Sequence, residues 1–159
     1  MKAFAAILTP VALAGLLALV WMALRGAPSG PVIAGDIVAG ARLYGENCAT
    51  CHGARLEGQP DWRTPNPDGS LPAPPHDETG HTWHHGDGVL IDYTKLGGAA
   101  ALARQGVEFA SGMPEFGDRL DDRQIRDVLA YIKSTWPERE RQVQAARTEA
   151  EALEGDARR

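Results

Sequence analysis

Apolar residues fall into three regimes along the chain. Residues 3–24 form an uncharged run of 22, broken only by Thr9, Pro10 and Gly15. As a helix rising 1.5 Å per residue, the run measures about 33 Å, enough for a hydrocarbon core of about 30 Å. Lys2 precedes it, Arg25 follows it, and Trp21 lies near its far end, where an indole favours the membrane interface. A cleaved signal peptide is the competing reading, but its apolar stretch usually runs about 7–15 residues. One small-x-small site, Ala12-Leu13-Ala14, lies inside the run, and another, Val32-Ile33-Ala34, well beyond it. Residues 1–25 are therefore expected to be a retained membrane anchor, with a signal peptide as the alternative. Both readings export the rest of the chain.

The second regime is periodic. Asp36 is a fitting N-cap for a helix over residues 37–47, with Ile37, Leu43 and Tyr44 among its apolar positions. A short helix is expected over 87–96, closed by Gly97-Gly98, with another turn or two over 99–105. The clearest pattern covers residues 121–136, where Ile125, Val128, Leu129, Ile132 and Trp136 follow the i, i+3, i+4, i+7 spacing of an amphipathic helix. Asp121 and Asp122 sit at its positive end, and Pro137 stops it.

The third regime has no period. Residues 26–36 form a linker rich in Pro and Gly. Six of the 11 prolines lie between Pro60 and Pro75, so residues 53–86 are expected to form a long ordered loop, and 111–118 a shorter one. Residues 137–159 carry 11 charged residues of both signs and almost no large apolar ones. They are expected to be a solvated helix or a frayed tail, without function. No strand pattern occurs, so the domain over 37–136 is predicted to be all-α.

Composition narrows the chemistry. The net charge is −5, and outside the apolar start 14 basic residues face 21 acidic ones, which is −7. A nucleic-acid binder would need a basic face for phosphate and is excluded. Two cysteines rule out a scaffold of several disulfides. They occur in Cys48-Ala49-Thr50-Cys51-His52. Two thiols three apart on one helical turn can both reach the vinyl groups of a haem, and the adjacent His52 can then coordinate the iron. In a chain of this composition a random match is expected about once in a thousand. A thioredoxin-like redox pair would need a βαβ surround, and a structural zinc site two further ligands. A plain disulfide would not use the histidine.

Residues 37–136 resemble a monohaem cytochrome c of the small, class I type. The resemblance rests on Gly40-x-x-x-Tyr44, Asn47-Cys48-Ala49-Thr50-Cys51-His52-Gly53, Gly112-Met113-Pro114 and Leu129-Ala130-Tyr131-Ile132, over about 100 of 159 residues. It implies a class I cytochrome c fold around one covalent haem c. It also implies a crossing of the first and last helices, with Gly40 and Tyr44 against Tyr131 and Leu129. The string from Leu71 to His85 is similar to a proteobacterial subgroup of such cytochromes, often exported or membrane-bound.

Met113 is the only methionine outside residues 1–25, and it lies 61 residues after His52. Its thioether is a soft, neutral ligand that favours ferrous iron. The plainer reading, a core methionine filling a gap, is countered by Gly112 and Pro114, which shape a loop around it. His76, His81, His84 and His85 offer four further imidazoles. One of them as a bis-His ligand is the runner-up, copper or zinc uptake is a third use, and capping turns or binding propionates is the plain one. Arg55, Trp62 and Trp83 are candidate propionate donors or loop anchors.

These observations converge on a one-electron carrier in the cell envelope with His52/Met113 ligation and no enzymatic activity. Its haem domain is expected on the periplasmic side of the membrane, or soluble in the periplasm if the leader is cleaved, with membrane-bound redox proteins as donor or acceptor. The alternatives are a haem subunit of a multi-subunit membrane oxidoreductase, a haem protein with an open distal site, and copper handling by the histidine loop.

Overall fold

The computed structural model describes residues 35–157. The anchor or signal peptide expected over residues 1–25, and the linker as far as residue 34, lie outside the described residues. Among the described residues every regular element is helical, and no helix is long and apolar enough to cross a membrane. The elements are α1 (Ile37–Asn47), α2 (Ala49–His52), a 3-10 turn (Thr82–His84), α3 (Asp87–Leu96), α4 (Gly98–Ala103), α5 (Asp122–Ser134) and α6 (Glu138–Ala157).

Side chains near in sequence set the helix ends. Asp36 Oδ1 accepts from the backbone N–H groups of Val38 and Ala39, at 2.9 and 3.0 Å, satisfying two orphan donors of α1. At α5, Asp121 and Gln124 form a reciprocal capping box, each side chain accepting from the other's backbone N–H. The expected amphipathic face of α5 is the one that packs. Ile125, Val128, Leu129 and Ile132 are buried there, with Trp136 just beyond the helix end.

That face meets α1, whose Leu43 and Tyr44 are buried in the same cluster. Gly40 is the contact point. A methyl group there would fall on the Asp127 carbonyl and lie 3.0 Å from the Tyr131 Cβ, so only glycine permits this approach of the two backbones. The rings of Tyr44 and Tyr131 pack at 5.5 Å between centroids, tilted by 55°. Asp127 adds a polar tie, since its Oδ1 accepts from the Asp36 backbone N–H at 2.8 Å.

Residues beyond Trp136 are a docked helix and not a frayed tail. Helix α6 packs against the 3-10 turn and α3, and the residues it buries are Glu140 and Gln144. Its grip is polar, so hydrophobic periodicity gives no sign of it. Helix α3 begins at Gly86 without a side-chain cap of its own. Glu151 supplies the missing acceptors, taking the N–H groups of Gly86 and Gly88 at 2.9 and 3.1 Å, and Thr148 Oγ1 takes that of Asp87 at 3.1 Å. Asp87, only 5% exposed at its side chain, is paired with Lys133 Nζ at 2.8 Å and accepts from the Gln144 amide at 2.9 Å.

Two substitutions test this packing. Gly40→Leu should overpack the α1–α5 crossing and lower stability by about 1–3 kcal/mol, measured as a reduced denaturation midpoint. Lys133→Met should cost about 3 kcal/mol, because it leaves the buried Asp87 carboxylate without its cation. Adding Asp87→Asn to Lys133→Met should recover part of that loss in the same assay.

Candidate functional site

Cys48 closes α1, its N–H donating to the Tyr44 carbonyl at 2.8 Å, and α2 continues from it for a single turn. The N–H groups of Cys51 and His52 both donate to the Cys48 carbonyl, at 3.1 and 2.9 Å, which places the two thiols and the imidazole on one turn. Gly53, at φ 83°, ends the turn in a conformation that favours glycine, and its carbonyl accepts from the buried Tyr44 hydroxyl at 2.9 Å. The end of the motif is thereby tied to the α1–α5 crossing. Burial, then the neighbouring Cys51, pushes the Cys48 thiol up to about 11, and no disulfide joins the two sulfurs.

His52 is buried, and its Nδ1 lies 2.9 Å from the Pro74 carbonyl oxygen. A carbonyl can only accept, so Nδ1 carries the proton and Nε2 is left as the lone-pair nitrogen. Burial lowers the His52 pKa, and the bond to Pro74 offsets this only in part, so the ring is neutral at pH 7. The Pro74 carbonyl is held by a close backbone approach. Gly58, at φ 67°, passes against Pro74 and Pro75 where a side chain would not fit, and its N–H donates to the His52 carbonyl at 2.8 Å.

A cavity of about 600 Å³ opens beside this turn. Cys48, Cys51, His52 and Met113 all line it, although they come from α2 and from a loop 61 residues further on. The Met113 carbonyl accepts from the Gly98 N–H at 3.1 Å, and the N–H groups of Phe116 and Gly117 donate to the carbonyls of Thr94 and Lys95 at 3.0 Å. The methionine loop is thus strapped across the end of α3 and the start of α4. Leu71, Leu90, Phe116, Val128, Leu129 and Ile132 supply apolar wall.

His76, His81 and His85 line the cavity as well, and His84 does not. Burial, then the charges of His52 and His81, holds the His76 pKa well below its usual value. Among the described residues no group of three or more His, Cys, Asp or Glu side chains is arranged to hold a metal ion. Arg55, Trp62 and Trp83 do not reach the cavity. The Arg55 side chain is 89% exposed beside Glu57, Trp62 stacks between Arg63 and His81, and Trp83 donates to the Glu78 carbonyl and stacks on His84. Both tryptophans brace the loop. Donors that do line the cavity include Asn47, Gln59, Asn66, Ser70 and Arg119, besides the hydroxyls of Thr82, Tyr93, Thr94 and Ser111. Gln59, Asn66 and Ser70 come from the aperiodic loop, where nothing in the spacing marks them.

Residues 37–136 match the family model described as cytochrome c, and the chain belongs to that family. It carries covalently bound haem c, and the Cys48/Cys51 pair followed by His52 fits the attachment motif. The cavity fits the group, since it is apolar, has a volume within the usual range for a cofactor site, and takes one wall from the attachment turn. The chain is 31% identical over 109 residues to a gluconate 2-dehydrogenase cytochrome c subunit from Pantoea cypripedii, covering 64% of this chain and 21% of that one. It is 31% identical over 101 residues to the cbb3-type cytochrome c oxidase subunit FixP from Bradyrhizobium sp. (strain ORS 278), covering 62% of this chain and 27% of that one. The chain therefore spans about a quarter of the length of these curated relatives. No solved structure matches the chain at comparable significance.

Proposed function

We propose that the protein is a one-electron carrier of the cell envelope with His52 and Met113 as axial ligands, tethered by residues 1–25 or released from them by cleavage. The observation that carries this reading is the convergence of Cys48, Cys51, His52 and Met113 on one cavity. Bound haem supplies an Fe(III)/Fe(II) couple. The chain does the rest by holding and excluding. The two sulfurs fix the group, and the bond to Pro74 presents His52 Nε2 as the coordinating nitrogen. The Met113 thioether would hold the iron from the methionine loop and favour its reduced form, while the apolar wall would keep water away. With the group held by both His52 and Met113, no ligand position would be left for a substrate, and the protein would pass electrons without being itself an enzyme.

A second reading, in which the chain is the haem subunit of a larger oxidoreductase, is favoured by the relatives, since both are named as subunits of such complexes. The charged surfaces of the domain and of α6 would then be permanent docking surface.

Replacing Met113 with Ala should open the site to carbon monoxide or added imidazole and lower the potential without loss of covalent haem. Met113→His should keep six ligands yet also lower the potential. If Met113→Ala leaves the ferric spectrum and potential unchanged, the ligand lies elsewhere, with His76, His81 and His85 as the replacements to test. Purification of the native protein in mild detergent separates the two readings. A stable stoichiometric partner identifies a subunit, and a lone haem protein identifies a carrier.

A further inference from the structure

The ring of His76 lies flat on that of His52, with centroids 4.0 Å apart and planes 21° from parallel. This is van der Waals contact over a whole face of the imidazole. His76 cannot easily leave that position, because it is held at three points. Its N–H donates to the Leu56 carbonyl at 2.8 Å, its carbonyl accepts from the Trp136 indole N–H at 2.6 Å, and its Nδ1 lies 2.7 Å from the Thr82 hydroxyl. Leu56, Thr82 and Trp136 are all buried. Leu56 adopts φ 70°, a left-handed conformation rare for leucine, and its carbonyl in that conformation accepts from His76. The Tyr44 ring meets the His76 ring edge-on at 6.2 Å, so the stack continues into the α1–α5 crossing.

We infer that His76 is a positioning residue for the proximal ligand, fixing the rotation of the His52 ring and closing its flank to water. The inference rests on His52 as an iron ligand and holds for any sixth ligand other than His76 itself. The bond to Pro74 sets which nitrogen of His52 carries the proton and restrains the ring at one edge. A flat wall on one face is needed to stop the ring swinging about that bond. Ligand orientation and solvent access are both levers on a haem potential. Water admitted beside the ligand stabilises the more highly charged ferric state, so loss of the wall should lower the potential.

The test uses the haem-loaded full chain and two variants, His76→Ala, which removes the wall, and His76→Phe, which keeps a flat ring there. Midpoint potential and the ferric electron paramagnetic resonance spectrum are the readouts. His76→Ala should raise the ferric-to-ferrous ratio at the wild-type midpoint about tenfold, which for one electron is about 59 mV. Its ferric spectrum should broaden as the ring loses a fixed orientation, and His76→Phe should restore both values toward wild type. Should His76→Ala fail to mature, Thr82→Val, which frees only the ring nitrogen, should lower the potential by a smaller amount. Wild-type potential and spectrum in His76→Ala, or in Thr82→Val where that variant replaces it, would overturn the inference. Conversion of His76→Ala and His76→Phe alike to high-spin haem would also overturn it, by making His76 a ligand. A wild-type ferric spectrum without imidazole ligation would remove the ligand assignment of His52 and this inference together, whereas an ordinary wild-type spectrum with unresponsive variants would remove this inference alone.

Discussion

The 2.9 Å bond between His52 Nδ1 and the Pro74 carbonyl is the contact around which the site is organised. It decides a tautomer, and the tautomer leaves Nε2 as the nitrogen with a lone pair. A carbonyl from proline suits the task, because the ring fixes φ and stiffens the chain that carries the acceptor. That stiffness would be wasted if the segment could drift. The close pass of Gly58 and the bonds from Gly58 N–H to the His52 carbonyl and from His76 N–H to the Leu56 carbonyl close a small circuit of loop around the histidine. The aperiodic stretch is therefore a rigid part of the structure, although it contains almost no regular secondary structure.

The circuit is itself referred to the helical frame through two aromatic side chains. Tyr44 reaches from α1 to the Gly53 carbonyl, and Trp136 reaches from the end of α5 to the carbonyl of His76. Both rings are almost wholly buried. Each does two things at once, filling the core with a large apolar surface and spending its single donor on a loop carbonyl that would otherwise be buried unpaired. Burial, then the nearby Cys48, raises the Tyr44 pKa strongly, so the hydroxyl keeps the proton it donates. The crossing at Gly40, where these rings are anchored, thus bears directly on the geometry at the iron site.

How much of this is legible in sequence depends on what carries the information. Helix α5 is written in a spacing of apolar residues, and α1 and α3 in a cap, a glycine and a length, so those elements can be read directly. The attachment turn is written in residue types at fixed intervals, and Met113 in the loop-forming neighbours that flank it. The Pro74 acceptor is a backbone carbonyl, a group every residue has, and only the path of the loop selects it. His76 has a legible type and an illegible role, because its neighbours Leu56, Thr82 and Trp136 lie 6–60 positions away. Arg55, Trp62 and Trp83, read as propionate donors or loop anchors, show the converse case. Their donor groups suit a propionate, but donor chemistry does not say which way a loop turns. Helix α6 escaped the hydrophobic pattern because its contacts with α3 are polar and span 57–65 positions, with Glu151 and Thr148 accepting from backbone N–H groups and the Gln144 amide donating to the Asp87 carboxylate.

That last device matters to an electron-transfer haem protein. An iron that changes charge by one unit disturbs its surroundings least when the polar groups around it are already fixed. Helix α3 contributes Val89, Leu90, Tyr93 and Thr94 to the cavity wall, yet it starts with no side-chain cap of its own. Unclamped, its first turn would fray, and fraying there would let water in along the wall. Glu151 and Thr148 satisfy those first N–H groups, while Lys133 and Gln144 neutralise and bind the Asp87 carboxylate beneath them. Because the clamp joins α5, α3 and α6, it braces the wall on the side of α3 that faces away from the cavity. The Met113 loop braces its other end through the carbonyls of Thr94 and Lys95. A helix that belongs to the cavity wall is thus held at both ends by segments distant in sequence, and the stiffness the electron-transfer site requires comes from hydrogen bonds as much as from the apolar core.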